Sequence, residues 1–485
     1  MHDKNTLRSG IAVVLTAIGF LSSLAFGEVH AELIVSDDIP VDMVPSRILP
    51  DSQSDEYWIV GFLEGLLLLA HDESGQWIVD EFSGYEIVDA AGPTSDGLIY
   101  CTYVSSQSNP IDTGIVVFNC TSHQFTATID LPWEYGLSAI AVGANEQRLF
   151  VGAATTDEDV YSVFDASEHS GLIIEVDIAS ASVLRTCSVR AWPETIFVWN
   201  GEKLLVSCQE PYWGQDDDYM EVKTTTSIIA LSTFTKIAEI PSNYADWPHT
   251  NDLVRWNEDF VALFNFQIYL DYQAPTYADA LWLIDPSSAA VVGSINVRDG
   301  DSNEWGVKHG LISEACPELV YLGLMCYEGM WEFPLIVADR SGVYVDHAVT
   351  PAGFSPEFIY EVDDEQIIVT DAVNERIYIL EWVNYPPMCN LVLITPMPYV
   401  GPSPAEIEFD ATGSYDPDPC DELTFEWDFD GDHVFGEPVD DAYTGPPDNP
   451  THSYTEDYTG LVTLKLTDNH GAESLCSVDV EVDIT

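Results

Sequence analysis

The sequence predicts an all-β protein of two domains, at residues 32–385 and 386–485, preceded by an export signal at residues 1–31. Three observations support this prediction. Short segments rich in β-branched and aromatic residues recur along the chain with turn residues between them. Glycine and proline are frequent, at 31 and 28 of 485 residues, as expected of a turn-rich chain. Hydrophobic residues make up 46% of the chain, enough for packed cores, which excludes an intrinsically disordered protein.

The charge composition narrows the range of partners. The chain has 82 acidic and 15 basic residues, for a formal net charge of −67. Nucleic acids are excluded because a polyanion needs a basic binding face, and anionic membrane surfaces repel such a chain. The acid excess favours solubility, bound divalent cations or a saline medium that screens the self-repulsion.

The first 31 residues have the features of a secretory signal peptide. Lys4 and Arg8 precede an apolar run at residues 11–26, and the Val-His-Ala sequence at residues 29–31 fits a cleavage site. A retained membrane anchor is the alternative, although the run is short for a spanning helix. No later stretch approaches the ~20 apolar residues of such a helix. We therefore expect a secreted, extracellular or cell-surface protein with no membrane insertion after cleavage.

A unit of four short strands repeats through the first domain, most clearly at residues 114–152. One strand, directly after a tight turn, marks each copy, and these strands are spaced by roughly 40 to 60 residues, as in propeller blades. There are seven of them: EYWIVGFL, LIYCTYV, RLFVGA, KLLVSC, DFVALFNF, LVYLGLM and QIIVTD. The count predicts a seven-bladed β-propeller.

The last unit of the repeat is incomplete, and the N-terminus can complete it. The unit begins at Pro356 and has three strands, ending near Trp382. Its missing outer strand can come from ELIVSD at residues 32–37, which closes the ring and leaves no exposed lateral edge. The pattern resembles the seven-bladed YncE-like and lactonase-like propellers, with the best match at IAVGANE (140–146) followed by RLFV (148–151). This resemblance implies the fold and no specific activity.

From residue 386 the spacing of strands and turns changes, and the remaining segment has the ~100-residue length of an immunoglobulin-like sandwich. Four features occur in order: GSYDPD (413–418), WDF (427–429), HSY (452–454) and TDNHG (467–471). In these features the segment resembles the polycystic kidney disease (PKD) domain family. The resemblance implies a spacer or adhesion module of an extracellular protein, and some related domains bind calcium.

Aspartates in the turns of this second domain suggest calcium as the only cofactor. Three of them alternate at a strand end, so their carboxylates should project from one face, and the others lie in two loops. Calcium takes ~6 to 8 oxygen ligands. The spacing is not that of an EF-hand, and Asx turns without a metal are the alternative. The candidate metal ligands are Asp416, Asp418, Asp428, Asp430, Asp432 and Asp468.

Nine cysteines in an exported chain predict disulfides, although an odd number cannot all pair internally. In the PKD-like domain Cys389 on the first strand and Cys476 on the last are expected partners, which leaves Cys420 unpaired. In the propeller, Cys101 and Cys120 fall on adjacent strands at positions that can face each other.

One face of the predicted propeller carries the candidate binding residues. Loops entering the innermost strands and loops between the second and third strands open on this face, and they are rich in acids and aromatics. Such residues can bind sugars, or a cationic or calcium-bridged ligand. The alternative is that the tryptophans pack between blades and the acids are solvated. The candidate ligand-binding residues are Trp133, Trp192, Trp213, Asp216, Asp217, Asp218, Trp247, His249, Asn251, Trp305 and His309.

No catalytic residue is assigned, because the HExxH, GxSxG and phosphate-loop motifs are absent. Three hypotheses remain. The favoured one is an extracellular binding or adhesion protein whose propeller face takes a carbohydrate or a protein partner, with the PKD-like domain as spacer. The second is a lactonase-like hydrolase or lyase, with carboxylates and a histidine converging on a metal at the channel mouth. The third is a structural surface component.

Overall fold

The computed structural model is all-β and divides into two compact units. Every regular element among the described residues is a β-strand, so no helix there is long and apolar enough to cross a membrane. The N-terminal unit comprises residues 32–382 and the C-terminal unit residues 383–485. The structure describes residues 32–485 apart from 52–53, 55, 73, 106–111, 132–135, 155–170, 191, 214–219, 246–252, 265–267, 270–275, 278–280, 296–306, 325–334, 342–343, 352, 364, 419, 437, 439 and 441–442.

The N-terminal unit begins with strand β1 (Glu32–Pro40) and continues with four-stranded antiparallel sheets. The first sheet contains β2 (Pro45–Pro50), β3 (Tyr57–Gly61), β4 (Gly65–His71) and β5 (Trp77–Ser83). The second contains β6 (Glu86–Ala91), β7 (Leu98–Ser105), β8 (Asp112–Asn119) and β9 (Gln124–Asp130). The third contains β10 (Gly136–Val142), β11 (Arg148–Ala154), β12 (Gly171–Asp177) and β13 (Ser182–Val189). The fourth contains β14 (Pro193–Trp199), β15 (Lys203–Trp213), β16 (Met220–Ala230) and β17 (Thr235–Ala245).

The remaining strands of this unit follow the same plan with two additions. The fifth sheet contains β18 (Leu253–Arg255) and β19 (Val261–Phe264), then, after a short hairpin of β20 (Ile268–Tyr269) and β21 (Thr276–Tyr277), β22 (Leu281–Asp285) and β23 (Ala290–Ile295). The sixth group contains β24 (Val307–Ile312), β25 (Leu319–Leu324), β26 (Leu335–Asp339) and β27 (Tyr344–Val349). The last group contains β28 (Phe358–Glu361), β29 (Gln366–Asp371) and β30 (Arg376–Val383).

The four-stranded groups touch one another in a closed series. The first strands contact in the order β2, β6, β10, β14, β18, β24 and β28, and β28 contacts β2 again. Each of the seven strands counted in the sequence is the second strand of its group. These strands are apolar and buried, as in β3, whereas outer strands such as β5 alternate between exposed and half-buried positions. Repeated sheets in this closed series are consistent with a β-propeller.

Strand β1 lies where the sequence predicted it, and it also makes a pairing that was not predicted. It is the neighbour of β30 and so completes the last group. On its other side β1 pairs in parallel with β27, with Leu33 opposite Ala348, which joins the last two groups into one eight-stranded sheet. Leu33 is fully buried. The N-terminal strand therefore packs into the core of the unit.

The C-terminal unit contains two four-stranded sheets around one core. The strands are β31 (Val392–Leu393), β32 (Tyr399–Gly401), β33 (Ala405–Asp410), β34 (Thr424–Asp428), β35 (Tyr443–Thr444), β36 (Thr451–Tyr454), β37 (Tyr458–Thr467) and β38 (Glu473–Ile484). One sheet has the order β31-β33-β36-β35 and the other β32-β38-β37-β34. Trp427 and Phe429 stack at the centre of this core, with ring centroids 5.2 Å apart.

The structure confirms one prediction about the cysteines and contradicts another. Cys389 and Cys476 form the expected disulfide, with Cα atoms 5.8 Å apart. The expectation that Cys420 stays unpaired is wrong, since it is disulfide-bonded. Cys101 and Cys120 are buried free thiols, and burial raises the pKa of Cys120 to about 12. Disulfides of this kind are typical of an oxidising compartment.

Candidate functional site

A cavity of about 460 Å³ lies among the first strands of the N-terminal unit, and we call it the channel cavity. Among the described residues, six of the seven first strands contribute to its wall. The lining residues lie near the beginnings of these strands or in turns between second and third strands, which is the face that the sequence nominated. Its volume is in the range of small-molecule sites. Among the described residues, the charged, titratable and hydroxyl groups on the wall are Ser46, Arg47, Asp89, Ser138, Glu194, Thr195, His309 and Glu357.

β-Bulges in the first strands bring several of these side chains to the cavity. The pairing of β2 with β3 shifts between Pro45 and Ile48, and the pairing of β14 with β15 shifts between Pro193 and Thr195. The first strands of the second, third and sixth groups have similar shifts. A bulge releases a residue from the ladder and redirects its side chain, which is why bulges are common beside binding sites.

Arg47 and Asp89 form an ion pair on the cavity wall. The Arg47 Nη1 donates to both carboxylate oxygens of Asp89, at 3.1 and 3.2 Å. Asp89 also accepts the backbone N–H of Ile140 at 2.9 Å, so three successive first strands meet at this carboxylate. Burial raises the pKa of Asp89, against the lowering effects of Arg47 and of the Ile140 N–H. The pair is therefore a fixed internal part of the wall.

Glu194 differs from Asp89 because no cationic side chain pairs with it among the described residues. Its carboxyl accepts a hydrogen bond from Gln209 Nε2 at 2.6 Å. Burial raises the pKa of Glu194 to about 8. The group is consequently protonated and neutral at pH 7. A carboxyl perturbed in this way inside a cavity is a candidate functional group.

Of the predicted ligand-binding residues that the structure describes, His309 is the one that lines the channel cavity. It is buried, and its ring stacks on Phe358 with centroids 4.3 Å apart. Glu357 precedes Phe358 and lines the same wall. The apolar part of the wall is formed by Val44, Phe62, Val88, Phe358 and Ala372.

The other predicted ligand residues are only partly covered by the structure. Trp192 is half-buried directly before β14, has a left-handed φ of 45° and accepts the Gln209 N–H through its carbonyl. Trp213 ends β15, where its backbone pairs with Met220. Outside the described residues lie Trp133, Asp216, Asp217, Asp218, Trp247, His249, Asn251 and Trp305.

Sequence reasoning missed Arg47, Asp89, Glu194 and Glu357. Their signal was a charged residue within or just before an otherwise apolar first strand, as in PSRILP, EIVDAA and PETIFVW. A charge at such a position contradicts burial between neighbouring sheets. It indicates instead that the strand borders a channel.

The C-terminal unit contains a separate group of carboxylates, which we call the turn cluster: Asp416, Asp418, Asp421 and Asp468. Ligand oxygens of Asp416, Asp421 and Asp468 lie within 4.8 Å of one another. Asp468 is 5% exposed and Asp418 is 8% exposed. Sequence reasoning nominated three of these residues and missed Asp421, whose carboxylate lies 3.2 Å from His470 Nδ1.

Three members of the turn cluster share one bonding pattern. In each, one oxygen accepts a backbone N–H: Asp416 from Asp418, Asp418 from Tyr385, and Asp468 from His470 and Ala472. In each, the second oxygen is buried without a hydrogen-bond partner. Burial raises the pKa of Asp418 to about 6, with further contributions from the charges of Asp416, Asp421 and Asp468. Buried carboxylate oxygens without donors are the ligands that a hard cation such as calcium takes.

The remaining predicted ligands form a second group with a different composition. Asp428 and Asp430 join Asp440, which sequence reasoning missed. Asp428 is fully buried and accepts the N–H groups of Gly431 and His433. These two residues have positive φ angles, so the chain turns away after Asp428. Asp432 is exposed, accepts the Val434 N–H and belongs to neither cluster.

No protein-family model and no curated protein sequence matches the chain. Among solved structures, the chain is similar to one titled Kuenenia stuttgartiensis Hydrazine Synthase, with a TM-score of 0.49 and 11% identity over 71% of this chain and 98% of that chain.

Proposed function

We propose that the chain is an exported binding protein. In this proposal the seven groups of strands are the blades of a propeller similar to the YncE-like and lactonase-like ones. The C-terminal unit is a PKD-like, immunoglobulin-type spacer, and the partner is a carbohydrate or an extracellular protein. The observation that carries the proposal is the channel cavity. It lies on the face nominated from the loop sequences, and six first strands build its wall.

The location of possible metal ligands favours a binding function over the alternative hydrolase or lyase. The enzyme hypothesis requires several carboxylates and a histidine converging on one ion at the channel mouth. Among the described residues, the acidic and histidine groups close enough to share an ion are the two aspartate groups of the C-terminal unit. The cavity wall combines an aromatic surface with a few fixed polar groups, as ligand sites do.

The experiment is a glycan array probed with the mature chain and with two matched variants. Phe62 is 45% exposed and lines the channel cavity, whereas Ile78 is 43% exposed on the outer strand β5. We expect Phe62→Ala to reduce glycan binding at least tenfold and Ile78→Ala to leave it unchanged. An empty array, or equal loss in both variants, would contradict carbohydrate binding at this face.

We further propose that the turn cluster binds calcium. Its support is the set of three buried oxygens without donors, each belonging to a carboxylate whose other oxygen is already held by backbone N–H groups. Such a carboxylate is preoriented, so ion binding orders few further groups. Calcium would tie the turn at residues 416–421 to the hairpin loop that contains Asp468.

Thermal melting in EDTA and in calcium tests this second proposal. We expect calcium to raise the melting temperature and Asp468→Asn to remove most of that rise. Asp457→Asn is the control, because Asp457 also accepts a backbone N–H, from Ile484, and belongs to neither aspartate group. An unchanged melting temperature on adding EDTA would contradict calcium binding by the turn cluster.

A further inference from the structure

Among the described residues, the wall of the channel cavity has more acidic than basic side chains. Asp89, Glu194 and Glu357 supply carboxyls, and Arg47 supplies a guanidinium that is already engaged by both oxygens of Asp89. The Glu194 carboxyl therefore lies outside the internal ion pair. The whole chain adds to this preference, since a net charge of −67 raises the local concentration of cations at a concave surface.

The remaining wall fits an apolar body. Phe62 and Phe358 supply aromatic rings, and Val44 and Val88 supply aliphatic groups. The Phe62 side chain is 45% exposed although it is large and apolar. A ligand that covers it would remove that apolar surface from water, which is favourable.

We propose that the channel cavity binds a small organic cation, with an ammonium group received by Glu194 and an apolar body against Phe62 and Phe358. This inference rests on the proposed function, because it names a ligand class for the same face. The bulge between Pro193 and Thr195 supplies the geometry, since it frees Glu194 from the ladder. Gln209 Nε2 donates a hydrogen bond of 2.6 Å to the Glu194 carboxyl and so orients it.

The protonation of Glu194 couples to binding. Without an opposite charge, a buried carboxylate is strongly disfavoured, and the pKa of about 8 keeps the group neutral at pH 7. An ammonium group at hydrogen-bond distance stabilises the ionised form, so the carboxyl proton leaves to solvent as the ligand binds. Among the described residues, the other titratable groups of this cavity are Arg47, Asp89, His309 and Glu357. Burial, and to a smaller extent the charge of Glu194, raises the pKa of the Cys208 thiol.

The test is calorimetric titration of the full mature chain with three probes of similar shape and different charge: phenethylammonium, 2-phenylethanol and phenylacetate. We expect phenethylammonium to bind at pH 7, 2-phenylethanol to bind at least tenfold more weakly, and phenylacetate not to bind. Titrations in two buffers of different ionisation enthalpy should show release of close to one proton per bound ammonium. Preferential binding of phenylacetate, equal binding of the alcohol, or no proton release would overturn the inference.

Two variants assign the effect to Glu194. Glu194→Gln should weaken phenethylammonium at least tenfold and abolish the proton release. Glu381→Gln is the control. Glu381 lies on β30 and its carboxyl accepts a hydrogen bond from Gln366 Nε2 at 2.9 Å, so this variant should change neither the affinity nor the proton release. Unchanged affinity in Glu194→Gln overturns the inference, and the proton release of the unmodified protein tests it without any variant. A positive glycan array with no ammonium binding would refute this inference and leave the proposed function standing.

Discussion

Replacing Glu194 by glutamine should change how the stability of the N-terminal unit depends on pH. Burial raises the pKa of Glu194 from its ordinary 4.5 to about 8, so the folded chain holds the proton more tightly than the unfolded chain does. The contribution of this group to stability is therefore complete below pH 4.5 and is lost as the pH rises towards 8. The difference between the two pKa values corresponds to about 5 kcal/mol. Glutamine cannot ionise and retains an oxygen that accepts from Gln209.

Urea denaturation between pH 4.5 and 8.5, followed by tryptophan fluorescence, measures this effect. The free energy of unfolding of Glu194→Gln should rise relative to the unmodified protein by about 4 kcal/mol across that range, and the two should be nearly equal at pH 4.5. Glu381→Gln should follow the unmodified protein throughout. Parallel pH profiles for Glu194→Gln and the unmodified protein would refute the assignment of a half-buried carboxyl without a cationic partner at this position.

Three further perturbations test the C-terminal unit and the role of the N-terminal strand. Asp418→Asn should raise the melting temperature in EDTA, because one of four crowded carboxylates is removed. In calcium it should lower the melting temperature, because a ligand charge is lost. A change of the same sign in both media, measured by calorimetry, would refute a cation site. Leu33→Ala should destabilise the N-terminal unit by about 2–5 kcal/mol in urea denaturation because Leu33 is fully buried, whereas Ile78→Ala should change stability by less than about 0.5 kcal/mol. Replacing both Cys389 and Cys476 by serine should lower the unfolding free energy of the C-terminal unit by about 2–5 kcal/mol, since the link spans 87 residues; an unchanged denaturation midpoint would contradict this.

The strand pattern was predictable because it is local. Alternation, β-branched residues and turn residues mark a strand within a few positions, and all seven strands counted in the sequence are second strands of their groups. The place of β1 was also predictable, because a three-stranded last group leaves an edge that some other strand must cover. Its parallel pairing with β27 was not, since no local feature specifies which neighbouring group lies on the far side of β1.

The candidate sites were less predictable, and the reason differs between the two units. In the C-terminal unit the turn motifs indicated Asp416, Asp418 and Asp468, but Asp421 joins them through the folding of two separate loops. In the N-terminal unit the loop sequences drew attention to tryptophans, whereas the described cavity wall is built by Arg47 and other charged residues of the first strands.

The amino-acid order thus carries the strand periodicity, the second strand of each group, the completing N-terminal strand and the Cys389–Cys476 disulfide, because each depends on burial and turn chemistry within a short segment or on one covalent pairing. Which carboxylates meet, and with what partners, depends on contacts between segments far apart in the chain. A bulge frees Glu194 from its ladder beside the channel cavity. Positive φ angles at Gly431 and His433 turn the chain after Asp428, which leaves Asp432 exposed and outside both aspartate groups. The sequence determines which side chains are acidic. The surroundings of each acidic group in the folded protein determine whether it is solvated, paired or able to bind a cation.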